Sequence, residues 1–60
     1  MPESHAVEFF TLYFEYRSKL SQVTSIELAL EDIKQKYSLT EVQITELRNY
    51  IMEAMEPVNE

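Results

Sequence analysis

The chain lacks the residue types on which most compact catalytic and metal sites depend. None of its 60 residues is cysteine or glycine, and histidine occurs once, at His5. The absence of cysteine excludes disulfides, thiolate zinc sites and thiol catalysis. The absence of glycine excludes the phosphate-binding loops and nucleophile elbows that need its backbone freedom. One histidine cannot build a triad or a histidine-based metal cluster, so we expect no enzymatic activity, no metal and no cofactor.

Long apolar runs are also scarce. The longest uninterrupted run of apolar residues is three, far shorter than a membrane-spanning segment requires. The first ten residues contain no lysine or arginine, whereas a secretory signal begins with positive charge. We therefore expect a cytoplasmic protein without a membrane anchor. The initial methionine and the polar end lead us to expect a complete chain.

The charge of the chain is one-sided. Eleven acidic residues face five basic ones, which gives a formal net charge of −6. This balance disfavours non-specific binding to nucleic acid or to anionic membranes and favours partners with basic surfaces. A chain of this length buries only about 60% of the surface that it exposes when unfolded, so its own core is small. A partner chain is one way in which such a domain gains stability.

The apolar periodicity predicts three helices in a single all-α domain over residues 1–60. With no glycine, and with prolines only at Pro2 and Pro57, no helix breaker stands inside the chain. We predict helices at residues 5–20, 25–37 and 41–56, the last one stopped by Pro57. The predicted buried face of the second helix consists of Ile26, Ala29, Leu30, Ile33 and Tyr37, and that of the third of Ile44, Leu47, Tyr50, Ile51, Ala54 and Met55.

Capping residues locate the predicted helix starts. Ser4 can accept a free backbone N–H of the first helix. Thr24 with Glu27, and Thr40 with Gln43, each have the spacing of a capping box, in which two side chains satisfy each other's backbone donors. The sequence therefore predicts turns immediately before Thr24 and Thr40.

The first helix carries more apolar surface than its own domain can cover. Its apolar arc spans roughly 220° of the helical wheel, about twice the stripe of an ordinary surface helix. Two further helices can cover only one side of it, which would leave an exposed patch of several hundred Å², on the order typical of interaction sites. We expect a second copy of the chain to cover this patch in a homodimer. The predicted interface residues are Phe9, Phe10, Tyr13, Phe14, Tyr16 and Arg17.

Two other binding partners for the aromatic first helix remain as alternatives. A different protein with an apolar groove could receive it. Stacked rings can also bind single-stranded nucleic acid, but that use needs interleaved basic residues, and only Arg17 is near, against Glu8 and Glu15.

The carboxylates of the second helix have an ordinary interpretation. Glu27, Glu31 and Asp32 lie on its polar side, with Lys36 in the last turn. Such groups can bind a divalent cation or serve acid–base chemistry. Ion pairing with Lys36 on a solvated face is the simpler explanation, because it needs neither a metal nor a substrate.

Three apolar residues lie off the main stripes of their helices: Leu28, Val42 and Met52. Two of them meeting on the surface would mark a second contact site.

The run LEDIKQKYSLTEVQITEL, residues 30–47, resembles the helix-turn-helix family of DNA-binding motifs. The apolar positions that carry the resemblance are Ile33, Tyr37, Leu39, Ile44 and Leu47. Two positions depart from the family's pattern: Lys34 stands where a small residue is usual, and Ser38 where glycine serves a positive φ. The resemblance implies a duplex-reading third helix, with Thr40, Thr45, Arg48 and Asn49 towards the bases and Lys34 and Lys36 towards phosphates.

These observations favour a non-enzymatic, acidic regulatory or adaptor protein that self-associates and acts through protein–protein contacts. Its size and charge resemble those of small accessory proteins of phages and plasmids. The alternative is a minimal helix-turn-helix transcription regulator that binds DNA as a dimer. A third hypothesis is an acidic surface that mimics nucleic acid and blocks a basic site of an enzyme.

Overall fold

Within residues 2–55 the chain folds into three helices, as the sequence predicts. A computed structural model describes residues 2–55, in which α1 spans Pro2–Arg17, α2 spans Gln22–Tyr37 and α3 spans Glu41–Met55. No strand occurs within that range. The all-α prediction is therefore confirmed. The predicted end of the third helix at residue 56 and the stop at Pro57 lie outside the described residues.

The first helix is the centre of the packing. α1 contacts both other helices, and α2 and α3 contact each other least of the three pairs. The fully buried large apolar side chains come from all three helices: Phe9, Ile33, Leu47 and Ile51. Burying such a side chain stabilises the fold by about 1.5–3 kcal/mol before entropy is counted. Ala6, Tyr13, Ile26, Ala29 and Leu30 complete this core.

Most of the predicted buried faces are confirmed, with three exceptions. Tyr37 and Tyr50 are 42% and 39% exposed, and Ala54 is exposed as well. Tyr37 and Ala54 lie in the last turns of α2 and α3, and Tyr50 lies at the edge of the apolar face of α3. The phenol groups of the two tyrosines can reach water or polar partners there.

The junction between α1 and α2 lies earlier than predicted. α1 begins at Pro2, which leaves Ser4 inside the helix and not at its cap. Proline suits the first helical position, because its φ is preset and its missing N–H would have no helical partner there. α1 ends at Arg17, where the backbone N–H groups of Lys19 and Leu20 both donate to the carbonyl of Tyr16.

Ser21, and not Thr24, is the N-cap of α2. Ser21 is extended, and its hydroxyl accepts a hydrogen bond from the backbone N–H of Thr24 at 3.3 Å. The predicted box of Thr24 with Glu27 is therefore wrong. Serine and threonine are both good caps, and Ser21 adds a second contact because its carbonyl accepts the buried hydroxyl of Ser25 at 2.7 Å.

The turn between α2 and α3 follows the sequence prediction closely. Ser38 has φ 54° and ψ 48°, the left-handed conformation, and Leu39 N–H donates back to the carbonyl of Lys34 at 3.0 Å. These are the features of a Schellman C-cap, at a position that usually holds glycine. Thr40 and Gln43 then form the predicted capping box, with reciprocal backbone bonds of 2.9 and 3.1 Å.

Candidate interaction surfaces

The aromatic side chains of α1 divide between the core and the surface. Phe9 is completely buried and Tyr13 is 7% exposed, and their rings stack at 5.7 Å between centroids. Both were expected at an interface with a second chain. The structure places them in the core of this chain, because α1 lies against both other helices and the inner half of its apolar arc is covered.

The outer half of the arc remains exposed. Val7 is 72% and Phe14 is 65% exposed. Between them lies Phe10, which packs partly against the core and has its ring centroid 6.2 Å from that of Phe14. Residues 7, 10 and 14 follow helical spacing and form one continuous strip. We call Val7, Phe10 and Phe14 the α1 strip. Val7 was not among the interface residues predicted from the sequence.

Tyr16 and Arg17, the other predicted interface residues, have partners within the chain. The Tyr16 hydroxyl donates to the Asp32 carboxylate of α2 at 2.5 Å. This bond, together with burial and the negative charge of Asp32, raises the pKa of Tyr16. Arg17 is exposed and donates to the carbonyl of Leu20 at 3.1 Å. Tyr16 therefore joins α1 to α2, and Arg17 lies at the C-terminal end of the α1 strip.

The carboxylate of Glu8 is the polar contact between α1 and the last turn of α2. It accepts hydrogen bonds from the Lys36 ammonium and the Tyr37 hydroxyl, both at 2.5 Å. The two donors lower the pKa of Glu8, with that of Lys36 the larger effect. The ring of His5 lies 4.6 Å from that of Tyr37. Lys36 was expected to pair along its own helix, and that expectation is wrong because α1 supplies a better-placed carboxylate.

The residues expected to read DNA bases are not gathered into a basic surface. Arg48 donates two hydrogen bonds to the Glu27 carboxylate, at 2.9 and 3.0 Å. Thr40 uses its hydroxyl to cap α3. Thr45 and Asn49 are exposed, but they share the helix with several carboxylates.

The lysines expected at phosphates are paired as well. Lys34 pairs with Glu41 at 2.5 Å, and this contact raises the pKa of Lys34. Lys36 pairs with Glu8. All the lysine and arginine side chains of α2 and α3 thus lie on carboxylates of the chain, which leaves little positive charge for phosphate.

A groove opens between α2 and α3 on the side where the two helices diverge from their turn. Its main depression has a volume of about 690 Å³ and is lined by Gln22, Ile26, Asn49, Met52, Glu53 and Met55. A smaller one of about 210 Å³ adjoins it, shares Ile26 and Met52, and adds Val23, Glu27 and Arg48. We call these residues the α2–α3 groove. The sequence signalled it only through Met52, an apolar residue off the main stripe of its helix.

Leu28 and Val42, the other two off-stripe residues, are 38% and 67% exposed and do not line this groove.

Within residues 2–55, no group of three or more histidine, cysteine or acidic side chains is placed to hold a metal ion. None of the helices described is long and apolar enough to cross a bilayer.

Comparison with known proteins finds no matching family, no similar curated protein and no similar solved structure.

Proposed function

We propose that this chain is a non-enzymatic, acidic adaptor or regulatory protein that works through protein–protein contacts and self-associates as a dimer through α1. The observation that carries this proposal is the α1 strip. Val7 and Phe14 are 72% and 65% exposed, and a phenylalanine left that open beside other apolar residues is typical of an interaction site. A cytoplasmic location is part of the proposal and depends on the sequence alone.

A second copy of the chain is the partner that the ends of the α1 strip favour. Glu3 and Arg17 are exposed, and they lie at the N-terminal and C-terminal ends of the same side of α1. The two residues are separated by about 21 Å along the helix. If two α1 helices pack antiparallel about Phe10, residue 3 of one copy faces residue 17 of the other. Opposite charges then meet at both ends, and the surface is self-complementary, as a two-fold dimer requires.

The apolar part of the strip suits the same arrangement. Phe10 would lie at the two-fold axis against its own symmetry mate, with Val7 of one copy near Phe14 of the other. Aromatic side chains supply large contact areas with few rotatable bonds, which is why they are frequent in interface centres.

Sedimentation equilibrium tests the dimer. The unaltered protein is expected to dimerise at micromolar concentration, and Phe14→Lys is expected to weaken the dimer by about 100-fold or more, because an interface centre tolerates a charge poorly. Val42→Lys is the matched control: Val42 is 67% exposed and lies on α3, so it receives the same charge away from the strip. A monomer for the unaltered chain at high micromolar concentration would contradict the proposal.

Charge reversal tests the antiparallel arrangement separately. Glu3→Lys and Arg17→Glu each place like charges together at both ends of the dimer, and each is expected to weaken it by roughly tenfold. The double variant restores opposite charges and is expected to recover most of the affinity. Additive weakening in the double variant would reject this geometry and leave dimerisation itself standing.

The helix-turn-helix alternative has one observation for it and two against it. The left-handed Ser38 matches the turn of that family. Against it, α2 and α3 contact each other little, and Lys34, Lys36 and Arg48 are all paired with carboxylates. A mobility-shift assay at low salt separates the two functions, because duplex binding is steeply salt-dependent.

A further inference from the structure

We propose that the α2–α3 groove receives one amphipathic helix of a partner protein, whose apolar face is flanked by lysine or arginine. This surface is formed by α2 and α3 and is distinct from the α1 strip. The proposal therefore goes beyond self-association.

The floor of the groove is apolar and partly uncovered. Ile26 lies at the base and is 7% exposed, while Met52 and Val23 on the two walls are 38% and 70% exposed. Met55 is half-buried at the open end. Methionine side chains are flexible and polarisable, and they adapt to the shape of an inserted apolar residue.

The dimensions of the groove fit a short stretch of helix. Its α3 wall runs from Arg48 to Met55, which is about two helical turns or 10 Å. Its α2 wall consists of Gln22, Val23, Ile26 and Glu27. A helix lying in such a groove contacts it through apolar residues at positions i, i+3 or i+4, and i+7. Two to three such anchors match the length available.

The charge beside the groove selects a basic partner. Glu53 lines the groove, and Glu46 lies two turns earlier on the same side of α3, with exposed Asn49 between them. The single basic residue of α3 is Arg48, and its guanidinium is already paired with Glu27. The α3 rim is therefore negative, in a chain whose net charge is −6. Lysine or arginine beside the apolar face of the incoming helix would complement it.

The test uses two fluorescein-labelled synthetic peptides and the full-length chain. Both peptides carry leucines on one face of a helix; the first has lysines on the other face, and the second has glutamates in their place. Fluorescence anisotropy is expected to show saturable binding of the lysine peptide and at least about tenfold weaker binding of the glutamate peptide. Equal binding of both peptides, or no binding of either up to about 1 mM, would overturn the proposal.

Met52→Lys and Val42→Lys locate the binding site. The two substitutions change the net charge equally, but only Met52 lies in the groove. Met52→Lys is expected to weaken the lysine peptide by about tenfold or more, and Val42→Lys by less than about twofold. Equal effects would mean non-specific attraction to an acidic protein and would reject the site. Val23→Lys, at a position that is 70% exposed, gives the same test should Met52→Lys fail to fold by circular dichroism.

Three measurements separate this proposal from the dimer and from other occupants. Phe14→Lys is expected to bind the lysine peptide with unchanged affinity even as a monomer, so a failure of dimerisation leaves the groove intact. Dissociation of the dimer by Met52→Lys in sedimentation equilibrium would instead assign the groove to a second copy. Binding of anilinonaphthalene sulfonate that Met52→Lys abolishes, in a chain that does not bind the lysine peptide, would assign the groove to a small apolar ligand. Either result overturns the proposal.

Discussion

Arg48 and Glu27 connect α3 to α2 through two parallel hydrogen bonds, with nitrogen–oxygen distances of 2.9 and 3.0 Å. The hydrogen bonds and the charge of the partner lower the pKa of Glu27 and raise that of Arg48. Because α2 and α3 otherwise contact each other little, this pair is their main polar connection across the groove. The same pair occupies the guanidinium of Arg48, the one arginine among the residues expected to read DNA bases.

Replacement of Arg48 by alanine is expected to lower the free energy of unfolding modestly. Both side chains of the pair are about half exposed, 41% for Arg48 and 54% for Glu27. Exposed ion pairs contribute about 0.5–1 kcal/mol even with bidentate geometry. Urea unfolding of Arg48→Ala, Glu27→Ala and the double variant gives the coupling energy as a double-mutant cycle. A coupling energy near zero would show that the pair does not hold α2 and α3 together in solution.

Ser38→Gly is expected to stabilise the protein. Ser38 has a φ of 54°, a conformation that costs a residue with a Cβ atom roughly 1 kcal/mol and costs glycine little. Part of this gain is lost because glycine adds entropy to the unfolded chain. Thermal unfolding should therefore show a small rise in Tm for Ser38→Gly, while Ser38→Val, with a β-branched side chain in the left-handed region, should lower it. A lower Tm for the glycine variant would contradict the turn conformation.

Phe9→Ala and Phe14→Ala are expected to differ sharply, although both remove a phenyl ring from α1. Phe9 is completely buried. Its replacement by alanine leaves a cavity and should lower the free energy of unfolding by about 3–5 kcal/mol, which is most of the stability of a domain this small. Phe14 is 65% exposed, and its loss should change the unfolding of the monomer little. Circular dichroism at low concentration, where a dimer does not contribute stability, measures both. Similar losses for the two variants would be inconsistent with the division between core and strip.

The protein is expected to lose stability in acid as Glu8 and Glu27 become protonated. Their pKa values in the fold are lowered from the ordinary value of 4.5. The unfolded chain therefore binds more protons than the folded chain below about pH 4.5, and stability falls as the pH falls through the folded values. Urea midpoints can be measured from about pH 6 downwards, which covers the range in which carboxylates titrate. They should decline less steeply in Glu8→Gln than in the unaltered protein. An equal decline would show that Glu8 is not held by Lys36 and Tyr37 in solution.

Local features of the chain were predictable wherever neighbouring residues decide them. The capping box of Thr40 with Gln43 forms as expected, because both bonds close within three residues. The positive φ of Ser38 is the one that the helix-turn-helix resemblance implies at this position, where that family usually has glycine. The start of α2 was missed because Ser21 and Thr24 are both competent caps, and the choice depends on contacts of the whole turn. The predicted pairing of the acidic residues of α2 with Lys36 was wrong. Glu27 and Asp32 instead bond to residues of the other helices, Arg48 and Tyr16.

Composition and periodicity by themselves predicted the three helices found within residues 2–55 and the apolar residues around more than half of the circumference of α1. Only the tertiary structure decided which of those residues remain outside. Phe9 and Phe14 have the same side chain on the same helix, and a helical wheel shows only the directions in which they point. The positions of α2 and α3, set by packing over the whole core, bury Phe9 and leave Phe14 exposed.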